Sequence, residues 1–124
     1  MQKFALMAGS INAMLAVILG AFAAHGLKGR LTDEMLAVYQ TGVQYHFYHS
    51  LGLLIIGIAG FHLPASARLK WSARIMLTGI ILFSGSLYLM AVTDTRWLGM
   101  ITPLGGTAFI VSWLLLAMAV LNFK

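Results

Sequence analysis

The charged residues of this chain stand apart from its long apolar runs, and that separation limits the fold more than any motif does. No charge interrupts residues 4–27, 35–67, 75–93 or 97–123. Hydrophobic residues make up 60% of the 124, charged residues only 9%, and mean hydropathy is +0.91. A soluble domain carries about 25% charged residues, so this chain has too little polar material to clothe a water-facing surface. It is expected to face lipid, as a single all-α membrane domain over residues 1–124.

The net charge of +5 forms no patch and no basic helix, so the compact footprint that nucleic acid needs is missing. Its role is orientation in a bilayer. The chain contains no cysteine, which excludes disulfides, thiolate catalysis and thiolate metal ligands.

The first run, Phe4 to Ala24, is broken only by Ser10 and Asn12 and is long enough to span roughly 30 Å of hydrocarbon. A basic start and the small residues near Ala23 give it the look of a signal peptide, but it exceeds the usual apolar length of one, and a retained span is expected. Its small residues form two ladders, Ala5-Gly9-Ala13 and Ala16-Gly20-Ala24, and spacing of four places each on one face for close helix packing.

Residues His25 to Leu31 read as a loop. Thr32 then reads as an N-cap, with Asp33 and Glu34 in the first turn where the helix dipole favours carboxylates. A single helix from there to His62 would reach about 45 Å, too long for an upright span. The expectation is an amphipathic start over 32–42 and a span over 43–61, with Gly42 as a possible bend. Pro64 ends that helix, a third span covers 72–93, and Thr102-Pro103 caps a fourth over 102–121.

Four spans put both termini on one side. Lys3, Arg68, Lys70, Arg74 and Lys124 lie on that side. Lys28, Arg30 and Arg96 lie on the other, offset by Asp33, Glu34 and Asp94. The positive-inside tendency then makes the termini cytoplasmic, giving a four-helix bundle, N-in and C-in.

Depth sorts the polar residues into two layers. Asn12 and Trp113 fall in the middle third with Ser10, Ser84, Ser86 and Ser112. An Asn facing lipid would leave its amide unsatisfied, so Asn12 is expected to face inward with a partner on the third or fourth span, as interhelical glue rather than as a transport group. His25, His46, His49 and Tyr88 form an outer layer, joined by Thr41, Gln44 and Tyr45.

Within the segment Tyr39 to Ser50, helical spacing puts Gly42, His46, His49 and Leu53 on one side and Thr41, Tyr45, Tyr48 and Gly52 on the next. Ionisable groups at membrane depth are functional candidates by default. Three readings stay open: structural hydrogen bonding, handling of protons or a small polar ligand, and ligation of a metal by His25, His46 and His49 or of haem. Against haem, His46 and His49 share one face of one helix. His62 reads as interfacial and the eight methionines as scattered core filler. No pattern of a known mechanistic class of enzyme is present. Gly105-Gly106 follows no strand and has no nearby lysine, so it reads with Gly9, Gly20, Gly42 and Gly85 as helix packing rather than a phosphate loop.

Four motifs in order, Gly20-Ala-Phe-Ala-Ala-His25, Thr41-Gly-Val-Gln-Tyr45 with His49, Leu82-Phe-Ser-Gly-Ser-Leu-Tyr88, and Thr102-Pro-Leu-Gly-Gly106, resemble the YgdD-like small inner-membrane proteins of bacteria. That family is catalogued as a domain of unknown function and has mammalian relatives. The resemblance covers nearly the whole chain and implies a four-helix plasma-membrane protein. By motif match it points to His25, Thr41, Gly42, Tyr45, His49, Ser84, Gly85, Tyr88 and Pro103, with His46 less firmly part of the pattern. It brings no established activity and no cofactor. The expected function is a non-enzymatic inner-membrane protein whose His/Tyr cluster binds a small polar ligand or relays protons. The alternatives are an assembly subunit acting as a homo- or hetero-oligomer, and a haem- or metal-binding redox protein.

Overall fold

A computed structural model describes residues 1–123; Lys124, counted above among the terminal-side cations, lies outside the described residues. The described chain is four helices and two short helical turns: α1 (Gln2–Phe22), α2 (Asp33–Ala59), α3 (Ala67–Thr93) and α4 (Thr102–Val120).

The expected loop at His25 is instead partly helical. A π-helical turn, Ala23–Leu27, prolongs α1 and carries His25 with it. It buries Ala23 and Leu27 against the α2 residues Met35 and Tyr39, so apolar contact overrides Gly26, while Gly29 stays in a turn at φ 86° as the loop reading expects. At α2 the Thr32 hydroxyl accepts the Met35 N–H at 3.1 Å, as the cap signal predicts. The helix then runs unbroken through Gly42. A helical glycine costs about 1 kcal/mol, but here the missing Cβ admits the Tyr88 ring, which a methyl would approach to 3.0 Å.

Helix α3 begins at Ala67, earlier than the expected 72, because Ser66 caps it by accepting the Leu69 N–H at 3.2 Å. Arg68, Lys70 and Arg74 therefore ride on its first turns. It ends at Asp94, in the left-handed region with φ of 52°, a conformation Asp tolerates. A 3-10 turn, Arg96–Met100, leads to α4 with Pro103 in the first turn. Thr102 does not cap that helix. It is the first helical residue, and its hydroxyl lies 2.6 Å from Ser86 Oγ on α3.

The helices pack in chain order, α1 on α2, α2 on α3 and α3 on α4, with no substantial contact between α1 and α4 among the described residues. The outer helices each bury one stripe. On α1 it runs Ala5, Gly9, Ala16, Ala23, Leu27, at the three- and four-residue steps of one helical face. Ala5, Gly9 and Ala16 of the two ladders thus share a single seam on α2, while Ala24 is exposed. A Cβ at Gly9 would meet Leu54 and the Ser50 carbonyl at 2.9 Å. The opposite faces, with Met7, Met14, Val17 and Ile18 on α1 and Leu104, Ile110 and Leu114 on α4, are exposed and apolar. Three stretches, Gln2–Leu27, Ala67–Thr93 and Arg96–Val120, are long and apolar enough to cross a membrane. Helix α2 equals α3 in length at 27 residues but is diluted by Asp33, Glu34, Gln40, Gln44, His46 and His49.

Candidate functional site

Asn12 sits in the α1 seam, one step past Gly9 and one before Ala16, and so faces α2. Its Nδ2 donates to the Ala8 carbonyl at 2.8 Å, which turns Oδ1 toward His46, 2.9 Å from Nε2. An amide oxygen only accepts, so Nε2 carries the proton. In the neutral ring Nδ1 is then bare, and it accepts the Tyr88 hydroxyl at 2.9 Å. A directed chain results, from Tyr88 on α3 through His46 on α2 to Asn12 on α1, ending on a backbone carbonyl. Tyr39 shields it: its ring packs on Tyr88 at 5.0 Å between centroids and its hydroxyl donates to the Leu19 carbonyl at 2.9 Å. Ser84 donates to the Gly42 carbonyl at 2.7 Å, tying α3 to α2 beside the chain.

Asn12 was expected to find its partner on the third or fourth span, but it finds it on the second. The bond also puts a residue of the expected middle layer and one of the expected outer layer at the same depth. The reason is that α2 is continuous from Asp33, so His46 lies about 20 Å along it rather than near its entrance.

One turn on, His49 is 6% exposed and stacks face to face on Phe109 of α4, with centroids 3.5 Å apart and planes 9° from parallel. Its Nδ1 lies 2.7 Å from the Tyr45 carbonyl, so Nδ1 carries the proton and Nε2 presents a lone pair. Every fully buried side-chain nitrogen and oxygen among the described residues has a partner. Nε2 of His49 has none, so it is not fully buried, and His49 lines the cleft beside it. That cleft, about 470 Å³, is walled by Tyr45, Phe83, Pro103, Thr107, Phe109 and Trp113. The Thr107 hydroxyl donates to the Pro103 carbonyl at 2.9 Å.

The remaining expected site residues scatter. His25 is exposed on the π turn. Thr41 donates to the Ala37 carbonyl at 3.0 Å and lines, with Gln44 and Gly20, a separate shallow cleft of about 570 Å³ between α1 and α2. Among the described residues no three of His, Asp and Glu gather as metal ligands. The set His25, His46, His49 does not converge, and both nitrogens of His46 are already committed. Ser86 bonds the Phe83 carbonyl at 2.8 Å as well as Thr102. Trp113 borders the cleft at 38% exposed, while its neighbour Ser112 is the buried one. Ser10 is exposed.

Of the glycines read as packing sites, Gly9, Gly20, Gly42 and Gly105 are tight. A Cβ on Gly105 would strike the Phe83 backbone, whereas Gly106 has only ordinary contact and Gly85 open space. The helix around Gly85 is held through its neighbours Ser84 and Ser86 instead. Sequence reading missed Phe83 and Phe109 as walls of the site. The signal was the step Gly105-Phe109-Ser112, one helical face of α4.

The segments singled out by motif are therefore adjacent in space: Gly20 lies against Val43, Gly42 against Tyr88, Gly105 against Phe83. The family described as "Protein of unknown function (DUF423)" matches residues 19–106. The UPF0382 membrane protein YwdK of Bacillus subtilis is 48% identical over 98% of this chain and 99% of its own length. A UPF0382 membrane protein of Staphylococcus epidermidis is 44% identical, covering 98% of each chain. No solved structure matches significantly. The chain belongs to the DUF423 family of small membrane proteins, the family of unknown function that its four motifs resemble.

Proposed function

We propose that all four helices cross the bacterial plasma membrane, with both termini cytoplasmic. We further propose that the protein, acting without catalysis, binds a small membrane-dissolved ligand in the His49 cleft. The Asn12–His46–Tyr88 chain, one turn away along α2, holds α1, α2 and α3 in register. For the fourth span the support is packing. Helix α2 lies between α1 and α3, both of spanning length and apolarity, and its fully buried side-chain nitrogens and oxygens are satisfied internally, as hydrocarbon requires. Orientation follows the cations Lys3, Arg68, Lys70 and Arg74 on one side.

The observation that carries the binding reading is His49 Nε2. It is an uncommitted lone pair on a side chain otherwise buried, in a cleft of small-molecule size, and a few placed polar atoms in an apolar pocket mark a ligand site. A proton relay fits less well, since the Tyr88–His46–Asn12 chain stops at the Ala8 carbonyl, which has no proton to pass on. An assembly role through the small-residue ladders also fits less well, because Ala5, Gly9 and Ala16 are taken up within the chain against α2.

Two experiments test this. The chain has no cysteine of its own, so single cysteines at Gly29, Ala65 and Thr95 can be labelled with an impermeant maleimide in cells whose outer surface is accessible. Positions 29 and 95 should label at once and 65 only after the membrane is opened; the reverse pattern overturns the orientation. For binding, organic extracts of gently purified wild type and His49→Phe are compared by mass spectrometry. A small molecule present only with the wild type supports the reading. Identical extracts from two equally folded proteins overturn it.

A further inference from the structure

We infer that the ligand of the His49 cleft is a planar aromatic ring bearing a hydroxyl, specifically a hydroquinone in its reduced form, an assignment that rests on the binding reading above. Four features converge on it. The first is polarity. With its Nδ1 proton given to the Tyr45 carbonyl, a neutral His49 offers the cleft an acceptor and no donor. It therefore complements an O–H and not a carbonyl.

The second is shape. The walls are rings: the parallel His49–Phe109 pair, Phe83 with its centroid 5.4 Å from that of Phe109, and Tyr45 with its centroid 4.7 Å from that of Phe83. Aromatic faces and edges in such an array favour a flat aromatic guest. The third is size, about 470 Å³, within the roughly 300–1,000 Å³ of small-molecule sites and sufficient for a bicyclic ring with part of a tail.

The fourth is access and depth. Ile110, 70% exposed at the rim, puts the mouth on the apolar surface. His49 stands ten residues before the end of α2 at Ala59, about 15 Å along the helix. A lipid headgroup does not reach that depth, whereas a lipid-soluble ring does. Its hydroxyl, stripped of water there, needs an acceptor. The Thr107 hydroxyl, its proton given to the Pro103 carbonyl, retains only a hydroxyl lone pair, a weaker acceptor than an imidazole nitrogen. The Tyr45 hydroxyl has no partner among the described residues and both donates and accepts, so it serves either oxidation state. Discrimination falls to His49.

The test is equilibrium dialysis of the full chain in a non-aromatic detergent under argon. The probe is 2-methyl-1,4-naphthohydroquinone against its oxidised quinone, with farnesol as a flexible aliphatic alcohol. The expected result is that the hydroquinone binds at least about tenfold more tightly than the quinone. His49→Phe should bind both at the weaker level, and His62→Phe should behave as wild type. Gly106→Leu, which grows into the cleft from a position with room for a side chain and leaves His49 in place, should lose hydroquinone binding even if His49→Phe fails to fold. Equal affinity for the two oxidation states, or a preference that survives His49→Phe, overturns the assignment. Farnesol binding that depends on His49, without hydroquinone binding, overturns the ligand class and leaves the binding reading standing. No His49-dependent binding of any probe overturns both.

Discussion

Ser72 and Ser112 each donate a hydroxyl to the other's backbone carbonyl, at 2.9 and 2.6 Å, where both residues are fully buried between α3 and α4. The accepting carbonyls lie in helix interiors and keep their intrahelical bonds, so deleting a hydroxyl orphans no backbone group. Interhelical bonds of this kind contribute about 0.6 kcal/mol on average and up to about 1.7 in membranes. Ser112→Ala and Ser72→Ala should each lower stability within that range, with the double variant no worse than their sum. Ser112→Leu should cost more, because the position is fully buried and overpacking there forces the two helices apart. Unfolding in mixed-micelle SDS titrations gives the values, and a loss above about 3 kcal/mol for Ser112→Ala would show the pair to be misjudged.

Two glycines in neighbouring motifs should respond oppositely to the same methyl. At Gly85 the added Cβ meets nothing within 4 Å, whereas at Gly105 it runs into the Phe83 backbone. Gly85→Ala should be neutral or stabilising by up to about 1 kcal/mol through helix propensity. Gly105→Ala should destabilise by about 1–3 kcal/mol, since α4 must move away from α3. Thermal melting of the two purified variants decides it, and equal shifts would contradict the α3–α4 spacing described above.

The ion pair between Arg96 and Glu34, 3.0 Å long, joins the start of α2 to the α3–α4 turn, but its side chains are 61% and 65% exposed. Exposed pairs are screened by water and salt and add little. Arg96→Ala should leave the melting temperature unchanged at physiological salt. A clear drop, abolished by high salt, would instead make this pair a genuine clamp on the loops.

The helices were legible in the sequence because each long run free of charge allows little else, and the Thr32 cap was legible because its hydroxyl needs only local backbone. The errors came where tertiary contact overrode a local signal. His25 through Leu27 read as loop from glycines and cations, yet Leu27 buries against Met35 and the helix continues. Ser66 was not read as a cap, and the third span was expected to start only at 72. In the site, His46 and His49 stood out as polar groups in an apolar run, but their division of labour did not. Which nitrogen finds a partner depends on Asn12 and Tyr88, 34 and 42 residues away in sequence, and on Phe109, which carries no polar signal. His25 was grouped with them by depth alone, and depth does not fix the face or distance that a shared site requires.

The Asn12–His46–Tyr88 chain predicts strong non-additivity. Asn12→Leu leaves the His46 Nε2–H without its acceptor, a penalty of about 1–3 kcal/mol for a buried unsatisfied donor. His46→Leu strands Asn12 Oδ1 and the Tyr88 hydroxyl at once and should cost at least as much. Removing both partners together strands only Tyr88, so the double variant should be less destabilised than the sum of the singles by about 1–3 kcal/mol. Tyr88→Phe added to that pair should recover more, because the last unpaired hydroxyl goes with it. The same SDS titrations, run as a triple-variant cycle, read out each step. Additive losses at every step would mean that the three groups do not share hydrogen bonds, and the directed chain across α1, α2 and α3 would have to be given up.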